Sequence, residues 1–310
     1  MSSEFEDIVI NIVEDEEELE IVGSETGSIV KSVTVEEEKE KEDQYIETEV
    51  FRFLKVSEER WEEIQLLINK ASYFQSEKSF YDALCRSTIV LLVGQIEGYI
   101  KDLAKAIITD LNDNVAFSDL PRNIKKNFTN YYLGDGGRYT ELNDFFNLYN
   151  ADLKTEPFLG PYSVNGNKNP SANVIDKVMN SFGIDGVFSY LYNSQLDTIF
   201  ENDHEEISKI LHDLQDYLFN KTKSFPYEID LKIFSLNKHS IKFTKSNREL
   251  SLFKTFLDDL LHSRHAVAHG STFENQLTIE QLVDYERKAR ALQYGIALIL
   301  IHDVTIGIDF

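Results

Sequence analysis

One helical pattern, over residues 76–111, constrains the fold of this chain more than any other feature. Apolar residues recur there at spacings of three or four, the repeat of one face of an α-helix. They are Phe80, Ala83, Leu84, Leu91, Ile96, Ile100, Leu103 and Ile107. Between residues 88 and 94 the pattern is apolar on nearly all sides, which is typical of a helix that neighbours cover on several faces. The sequence therefore predicts an all-α bundle built around one long central helix.

Helical periodicity also predicts elements before and after this helix. A first helix is expected over residues 57–73, with Ser57 as its N-cap. Residues 112–170 are rich in Asn, Gly, Asp and Pro, which is typical of loops joined by short helices. Within this loop-rich middle insertion, a cluster of three basic residues is followed by three aromatic residues at helical spacing, which fits either a core stripe with solvated lysines or a nucleic-acid surface. They are Arg122, Lys125, Lys126, Phe128, Tyr131 and Tyr132.

The last third of the chain predicts a C-terminal helical hairpin. Its helices are expected over residues 249–268 and 278–304. The second begins with Thr278 and Gln281 in the spacing of a capping box, in which each side chain satisfies the backbone of the other. The predicted fold class is thus an all-α helical bundle with a long central helix, a middle insertion and this hairpin.

Acidic residues are concentrated in the first fifty positions. The 310-residue chain has a net charge of −23, and residues 1–50 contain 18 Asp and Glu against 3 Lys. Like-charge repulsion in such a segment favours disorder, so we predict an acidic tail over residues 1–50 and a helical domain over residues 51–310. Its short β-branched runs leave an alternative open, in which the tail adds a strand to a partner or covers a basic groove of the domain.

Composition and the single cysteine limit the class of protein. With 42% hydrophobic residues and only 5 Pro, the chain is neither collagen-like nor wholly disordered. Cys85 has no second cysteine with which to form an intramolecular disulfide, and the first residues lack the basic start of a secretory signal. The longest uninterrupted apolar runs, residues 89–93 and 296–301, are far shorter than the roughly 20 residues of a membrane span. A cytoplasmic protein with no membrane partner is expected.

The densest polar chemistry lies where the two hairpin helices meet. Residues 262–270 contain Arg264 and three histidines, His262, His265 and His269. Histidine exchanges protons near neutral pH, and a guanidinium offers a fork of donors to a phosphate. This combination suits phosphodiester cleavage without a metal. A histidine would take a proton from a ribose 2′-hydroxyl or give one to the leaving 5′-oxygen, while the arginine stabilises the charged transition state.

The segment LLHSRHAVAHG, residues 260–270, resembles the Arg-x4-His signature of the HEPN superfamily. Two earlier blocks, residues 83–99 and 169–184, resemble the central and middle helices of its RiboL-PSP-associated branch. The resemblance implies an all-α domain, usually a homodimer, with the Arg and His of both protomers in a cleft at the interface. It also implies a metal-independent RNase without a cofactor, in toxin–antitoxin or anti-phage defence, with RNA as substrate and an antitoxin or regulatory protein as partner.

The same resemblance assigns roles to individual residues. Arg264 would bind the scissile phosphate, His269 would be the acid or base, and His265 would take the polar catalytic position that follows the arginine. Ser263, beside the arginine, and Glu97, an acid just beyond the apolar part of the central helix, are expected to support the site.

Helix geometry limits how these residues can meet. Arg264 and His269 lie about 140° apart on an ideal helix. We therefore expect the helix to end near residue 268, which frees His269 to turn inward, and a second protomer to supply another Arg and His.

Two other interpretations remain open at this stage. His262, His265 and His269 share one helix face and could hold a metal ion. Alternatively, the chain is a non-catalytic HEPN-fold interaction module in a defence or regulatory complex, with Arg264 paired to Glu97 or Asp258.

Overall fold

Helix is the only regular secondary structure among the residues that the computed structural model describes, which are 47–133, 137–163, 169–201, 203–244, 247, 250–268, 277–306 and 308. The α-helices are α1 (Glu49–Tyr73), α2 (Lys78–Asn114), α3 (Arg122–Tyr132), α4 (Tyr139–Leu148), α5 (Glu156–Ser163), α6 (Ala172–Ser181), α7 (Phe188–Leu191), α8 (His204–Lys221), α9 (Leu252–Ala268) and α10 (Ile279–Thr305). The all-α fold class is confirmed. The predicted tail falls outside these ranges, apart from its last four residues, and stays a prediction.

Helix α2 is the centre of the bundle, as its sequence pattern predicts. It contains 37 residues and packs against α1, α9 and α10. By length and composition alone α2 could cross a membrane, but half of its most apolar window is buried inside the fold. The core helix of a helical bundle has the same length, composition and burial.

The prediction that residues 88–94 are covered on several faces is confirmed, but one side of α2 stays exposed. Ile89, Leu92 and their neighbours on the inner side are buried, whereas Val90 and Leu91 are 42% and 44% exposed. No atom of the described residues lies within 4 Å of the point where a side chain on Gly94 would begin. The reason is topological, because α1, α9 and α10, with a smaller contribution from α5, pack against other sides of α2 and leave Val90 and Leu91 exposed.

Helix α1 begins earlier than the sequence pattern indicates. It starts at Glu49 rather than at residue 57, and Thr48 is its N-cap, with a hydroxyl that accepts a hydrogen bond from the Phe51 N–H at 3.1 Å. Ser57, the predicted cap, is buried in mid-helix. The extra turns form because Val50 continues the buried face of the helix toward its N-terminus.

A carboxylate from α2 completes the start of α1. The Asp110 side chain accepts hydrogen bonds from the backbone N–H of Glu49 at 2.7 Å and of Val50 at 2.9 Å, and another from the Tyr227 hydroxyl. An acid at a helix N-terminus satisfies N–H groups that have no partner within the helix. Burial raises the pKa of Asp110, although these hydrogen bonds act in the opposite direction.

A buried ionic network joins α1 to α10. Arg290 on α10 pairs with Glu58 on α1 at 2.7 Å and with Glu286 on its own helix at 3.4 Å. The Tyr294 hydroxyl donates to the second oxygen of Glu58 at 2.6 Å. The guanidinium also lies over the Trp61 ring, 5.7 Å from its centroid. Burial raises the pKa of Glu58 because desolvation outweighs the attraction of Arg290.

The C-terminal hairpin has the predicted arrangement. Helix α9 begins at Leu252, three residues after the expected start, and both hydrogen bonds of the Thr278–Gln281 capping box are present at the start of α10. A nearly buried ion pair between Lys254 on α9 and Asp176 on α6, at 3.0 Å, holds α9 against the middle of the chain. The position of the motif on α9 therefore depends on α6 as well as on the hairpin.

The middle insertion consists of the short helices α3, α4 and α5 with intervening loops, as predicted. Of its aromatic residues, Phe128 is in the core, whereas Tyr131 and Tyr132 are exposed. Arg122 and Lys126 are exposed on the same helix. The α3 pattern thus combines a short core stripe with a solvent-facing edge.

Candidate functional site

Arg264 lies on the inner face of α9, one turn beyond its last buried residue. Phe253, Leu257 and Leu260 form the buried face of this helix. Arg264 follows Leu260 by four residues, which returns it to nearly the same face, and its side chain is half-buried. Among the described residues its guanidinium has no hydrogen-bond or ion-pair partner. A half-buried guanidinium without a counter-charge is well placed to bind an anion.

His265 is not on this face. Adjacent residues on a helix diverge by about 100°, and His265 is exposed on the outer side of α9, as is His262. The structure therefore separates His265 from Arg264 along the helix surface. Their adjacency in the sequence does not bring the two side chains together within one protomer.

The two expected supporting residues have other partners. The Ser263 hydroxyl donates to the Asp259 carbonyl of its own helix at 2.9 Å. Glu97 accepts a hydrogen bond from Lys101, which lies four residues later on α2. None of the ion pairs between described residues includes Arg264, so the pairs with Glu97 or Asp258 that the non-catalytic alternative requires are not formed within this chain.

His269 lies outside the described residues, and its role stays a prediction. The last described residue of α9 is Ala268, and the description resumes at Leu277. The Tyr81 hydroxyl on α2 donates to the Leu277 carbonyl at 3.0 Å, so the start of α10 lies against the first turn of α2. Burial raises the pKa of Tyr81 to about 12, which keeps this hydroxyl a donor at physiological pH.

No group of three or more His, Cys, Asp or Glu side chains is placed to hold a metal ion in the part of the chain that the structure describes. Two members of the alternative histidine site, His262 and His265, are exposed on α9. The third, His269, is not among the described residues, so the metal alternative is not tested by this structure.

Sequence analysis did not identify a second polar region, a cleft of about 440 Å³ between α1, α8 and α10. Gln65 and Asn69 line it from α1, His212 and Gln215 from α8, and Arg287 from α10. These residues come from three distant stretches of sequence and form no motif. Only the i, i+4 spacing of Gln65 and Asn69, which puts both amides on one helix face, could have indicated a shared role.

Comparison with known families identifies the central part of the chain. Residues 55–205 match the family model described as RiboL-PSP-HEPN. These residues belong to the RiboL-PSP-HEPN family. The matched segment of this HEPN domain includes α2 and α6, whose sequences resemble the branch, and it ends before α9. The Arg-x4-His motif therefore lies outside the match. No curated protein and no solved structure shows significant similarity to the chain.

Proposed function

We propose that this HEPN protein is a metal-independent endoribonuclease whose phosphate-binding residue is Arg264. The proposal rests on one observation. The half-buried guanidinium of Arg264 has no partner among the described residues, and Arg264 occupies the motif position that requires a phosphate-binding residue. The family assignment supports it, because the HEPN family generally includes RNase effectors. An anion bound to Arg264 would accept a charge-assisted hydrogen bond from a partly buried guanidinium.

The reaction we propose is transesterification within RNA. A base removes the proton of a ribose 2′-hydroxyl, the 2′-oxygen forms a bond to the adjacent phosphorus, and the bond from phosphorus to the 5′-oxygen breaks as an acid protonates that oxygen. The products are a 2′,3′-cyclic phosphate and a 5′-hydroxyl. Arg264 would stabilise the charge that accumulates on the non-bridging oxygens, and His269 would be the acid or the base.

The first test is cleavage of labelled single-stranded RNA in excess EDTA. We expect cleavage to continue, to leave 2′,3′-cyclic phosphate ends, and to fall by about a hundredfold or more in a His269→Ala variant, the usual loss for a general acid or base. Cleavage that EDTA abolishes would contradict the metal-independent mechanism. A folded protein that cleaves no RNA under any of these conditions would instead favour a non-catalytic HEPN interaction module.

The biological role we propose is that of a cytoplasmic toxin or anti-phage effector. Such an activity must be restrained in the cell, and an antitoxin or regulatory protein bound through acidic residues 1–50 would provide the restraint. If deletion of residues 1–46, which keeps the Thr48 cap of α1, changes neither activity nor the proteins that bind, this part of the proposal is wrong.

We also propose that the protein is a homodimer, with the uncovered side of α2 at the interface. Phe80, Val90 and Leu91 are each more than 40% exposed there. A Tyr81 hydrogen bond places the same end of α2 beside the start of α10, close to the hairpin that carries Arg264. A second protomer on this surface would bury the apolar side chains and bring its own motif toward the first.

A Leu91→Glu variant should convert the dimer to a monomer. A charge at the centre of an apolar interface is buried without a partner, and we expect the dimer dissociation constant to rise at least about tenfold. Light scattering after size-exclusion chromatography at micromolar concentration measures the change. Leu66→Glu on α1 is the matched control, because Leu66 is 57% exposed outside this surface. A monomeric wild-type protein would contradict the proposal.

A further inference from the structure

Helix α4 packs against α3 without burying any of its own side chains completely. Its Phe145, Leu148 and Tyr149 are 53%, 78% and 66% exposed, and on α3 Tyr131 and Tyr132 are 54% and 43% exposed. Single apolar residues are common on protein surfaces, whereas a contiguous group of them marks an interaction site. We call these five residues the aromatic surface.

The rings of the aromatic surface are in contact with one another. The ring centroids of Tyr131 and Tyr132 are 5.0 Å apart, and those of Phe145 and Tyr149 are 4.6 Å apart. The half-buried Phe146 joins the two pairs, because its centroid lies 6.1 Å from that of Tyr132 and 6.2 Å from that of Phe145. All these distances are within the range of aromatic pairs. The rings therefore form one continuous row across two helices.

The row also presents hydroxyl donors. The hydroxyls of Tyr131, Tyr132 and Tyr149 form no hydrogen bond with any described residue. Desolvation and the nearby Glu156 carboxylate raise the pKa of Tyr132, so this hydroxyl remains a donor at physiological pH. A ligand for the row should therefore combine apolar rings with free carbonyl oxygens. The carbonyls of an α-helix are bonded internally, whereas a polyproline II helix has no internal hydrogen bonds.

The unpaired charges beside the row are negative. Asp144 is exposed on α4 and precedes Leu148 by four residues, which puts the two side chains on one helix face. Glu156 is exposed and lies close enough to Tyr132 to influence its pKa. Neither carboxylate forms an ion pair with a described residue. A cation on the ligand would be attracted both by these carboxylates and by the faces of the rings.

The basic residues of this region do not reverse that charge. Arg138 is paired with Glu141 at 2.9 Å. Lys126, exposed on α3, lies at least about 120° around the helix from either tyrosine of the aromatic surface, and Arg122 is a further turn away. Stacked nucleobases would bring phosphates close to unpaired carboxylates. The charges therefore favour a cationic peptide over a nucleic acid as the ligand of this surface.

We propose that the aromatic surface binds a proline-rich segment of a partner protein in the polyproline II conformation, with a Lys or Arg of that segment beside Asp144. Grooves lined by aromatic side chains are the usual docking places of such segments. The proline rings would pack on the row, and the free backbone carbonyls would accept hydrogen bonds from the tyrosine hydroxyls. This inference does not depend on the proposed nuclease activity, because it concerns binding at a different set of residues.

Fluorescence anisotropy of labelled peptides titrated with the full chain tests the surface directly. The probe is a degenerate pool of peptides, about ten residues long, with a fixed Pro-x-x-Pro core and one arginine beside it. We expect saturable binding with a dissociation constant below about 1 mM. A pool with alanine in place of both prolines should bind at least about tenfold more weakly, because its backbone is not pre-organised.

Variants of the aromatic surface locate the binding. Phe145→Ser should weaken binding of the pool at least about tenfold by interrupting the row. Tyr149→Phe keeps the ring and loses one donor, so a loss of about three- to tenfold is expected. Asp144→Asn should weaken binding of the arginine pool but not of a pool with glutamine in place of arginine. Tyr73→Ser is the matched control, because Tyr73 is 79% exposed at the end of α1 and should leave the affinity unchanged.

Three outcomes would overturn the inference: no binding of the proline pool at millimolar concentration, equal binding of the alanine pool, or binding that Phe145→Ser and Tyr149→Phe both leave intact. Unfolding of the Phe145→Ser variant would be detected by circular dichroism, in which case Tyr149→Phe decides.

Two further measurements test other occupants of the surface. A single-stranded RNA that displaces the peptides, and whose own binding Phe145→Ser weakens, would assign the row to nucleobase stacking and contradict the proposal. Self-association of the chain that Phe145→Ser abolishes would assign it to a second copy, with the same consequence. We expect neither, since the unpaired carboxylates beside the row repel phosphates and a second copy brings the same negative charges.

Discussion

Replacing Arg264 with alanine should lower the rate of RNA cleavage by at least about a hundredfold, the loss typical of a group that stabilises transition-state charge. The fold should be unaffected, because the guanidinium forms no hydrogen bond or ion pair with any described residue, so its removal leaves none of them unsatisfied. We expect the free energy of unfolding to change by no more than about 0.5 kcal/mol. Single-turnover cleavage rates and urea unfolding measure the two quantities separately.

Two further arginine variants make this test specific. Arg264→Lys keeps the positive charge but loses the planar fork of donors, so it should recover only part of the activity. Arg52→Ala removes an exposed arginine whose only described ion pair is with Glu49 on the same helix, and cleavage should continue at the wild-type rate. If Arg264→Ala cleaves RNA as fast as the Arg52→Ala control, Arg264 is not the phosphate ligand.

Replacing Arg290 with methionine should destabilise the domain by about 3–5 kcal/mol, because it leaves the Glu58 carboxylate buried without its counter-charge. Glu286 loses a partner at the same time. Thermal or urea unfolding measures the loss. A double variant, Glu58→Gln with Arg290→Met, should recover much of it, since a neutral amide can still accept from the Tyr294 hydroxyl. A single variant as stable as wild type would show that the network contributes little.

This destabilisation should depend on pH. Burial already raises the pKa of Glu58 above its value in the unfolded chain, so the folded state binds the Glu58 proton more readily. The contribution of Glu58 to stability therefore falls as pH rises from the unfolded-state pKa through the folded-state pKa. Without Arg290 the pKa rises further. The Arg290→Met variant should therefore be closest to wild type in mildly acidic solution and furthest from it at pH 8, where Glu58 must be charged. Unfolding at two pH values checks the sign.

Local sequence patterns predict much of this fold. The period of apolar residues predicts α2 within a few residues of its ends, and the capping box predicts the start of α10. Both signals depend on residues that are near one another in the chain. The start of α1 could not be predicted in this way, because its N–H groups bond to Asp110, a residue 60 positions further on. The same holds for the Glu58–Arg290 pair, whose members are 232 positions apart.

The candidate site was predictable in part. Arg264 was identified from its residue type and its place at the hairpin, and its inward direction follows from the apolar residues that precede it on α9. The helical phase of α9 also predicts that His265 faces away from Arg264 within one protomer, and its catalytic role stays a prediction. Which side of α2 is uncovered depends on how α1, α9 and α10 assemble, and an apolar pattern alone does not contain that information.

The ion pair between Lys254 and Asp176 bears on where this domain can be divided. Asp176 lies within the segment that matches the HEPN family, and Lys254 lies beyond it. A fragment ended at residue 205 would leave Asp176 without its cation and expose the side of α2 against which α9 and α10 pack. The cooperative folding unit is therefore larger than the family match, and it includes the helix that carries Arg264.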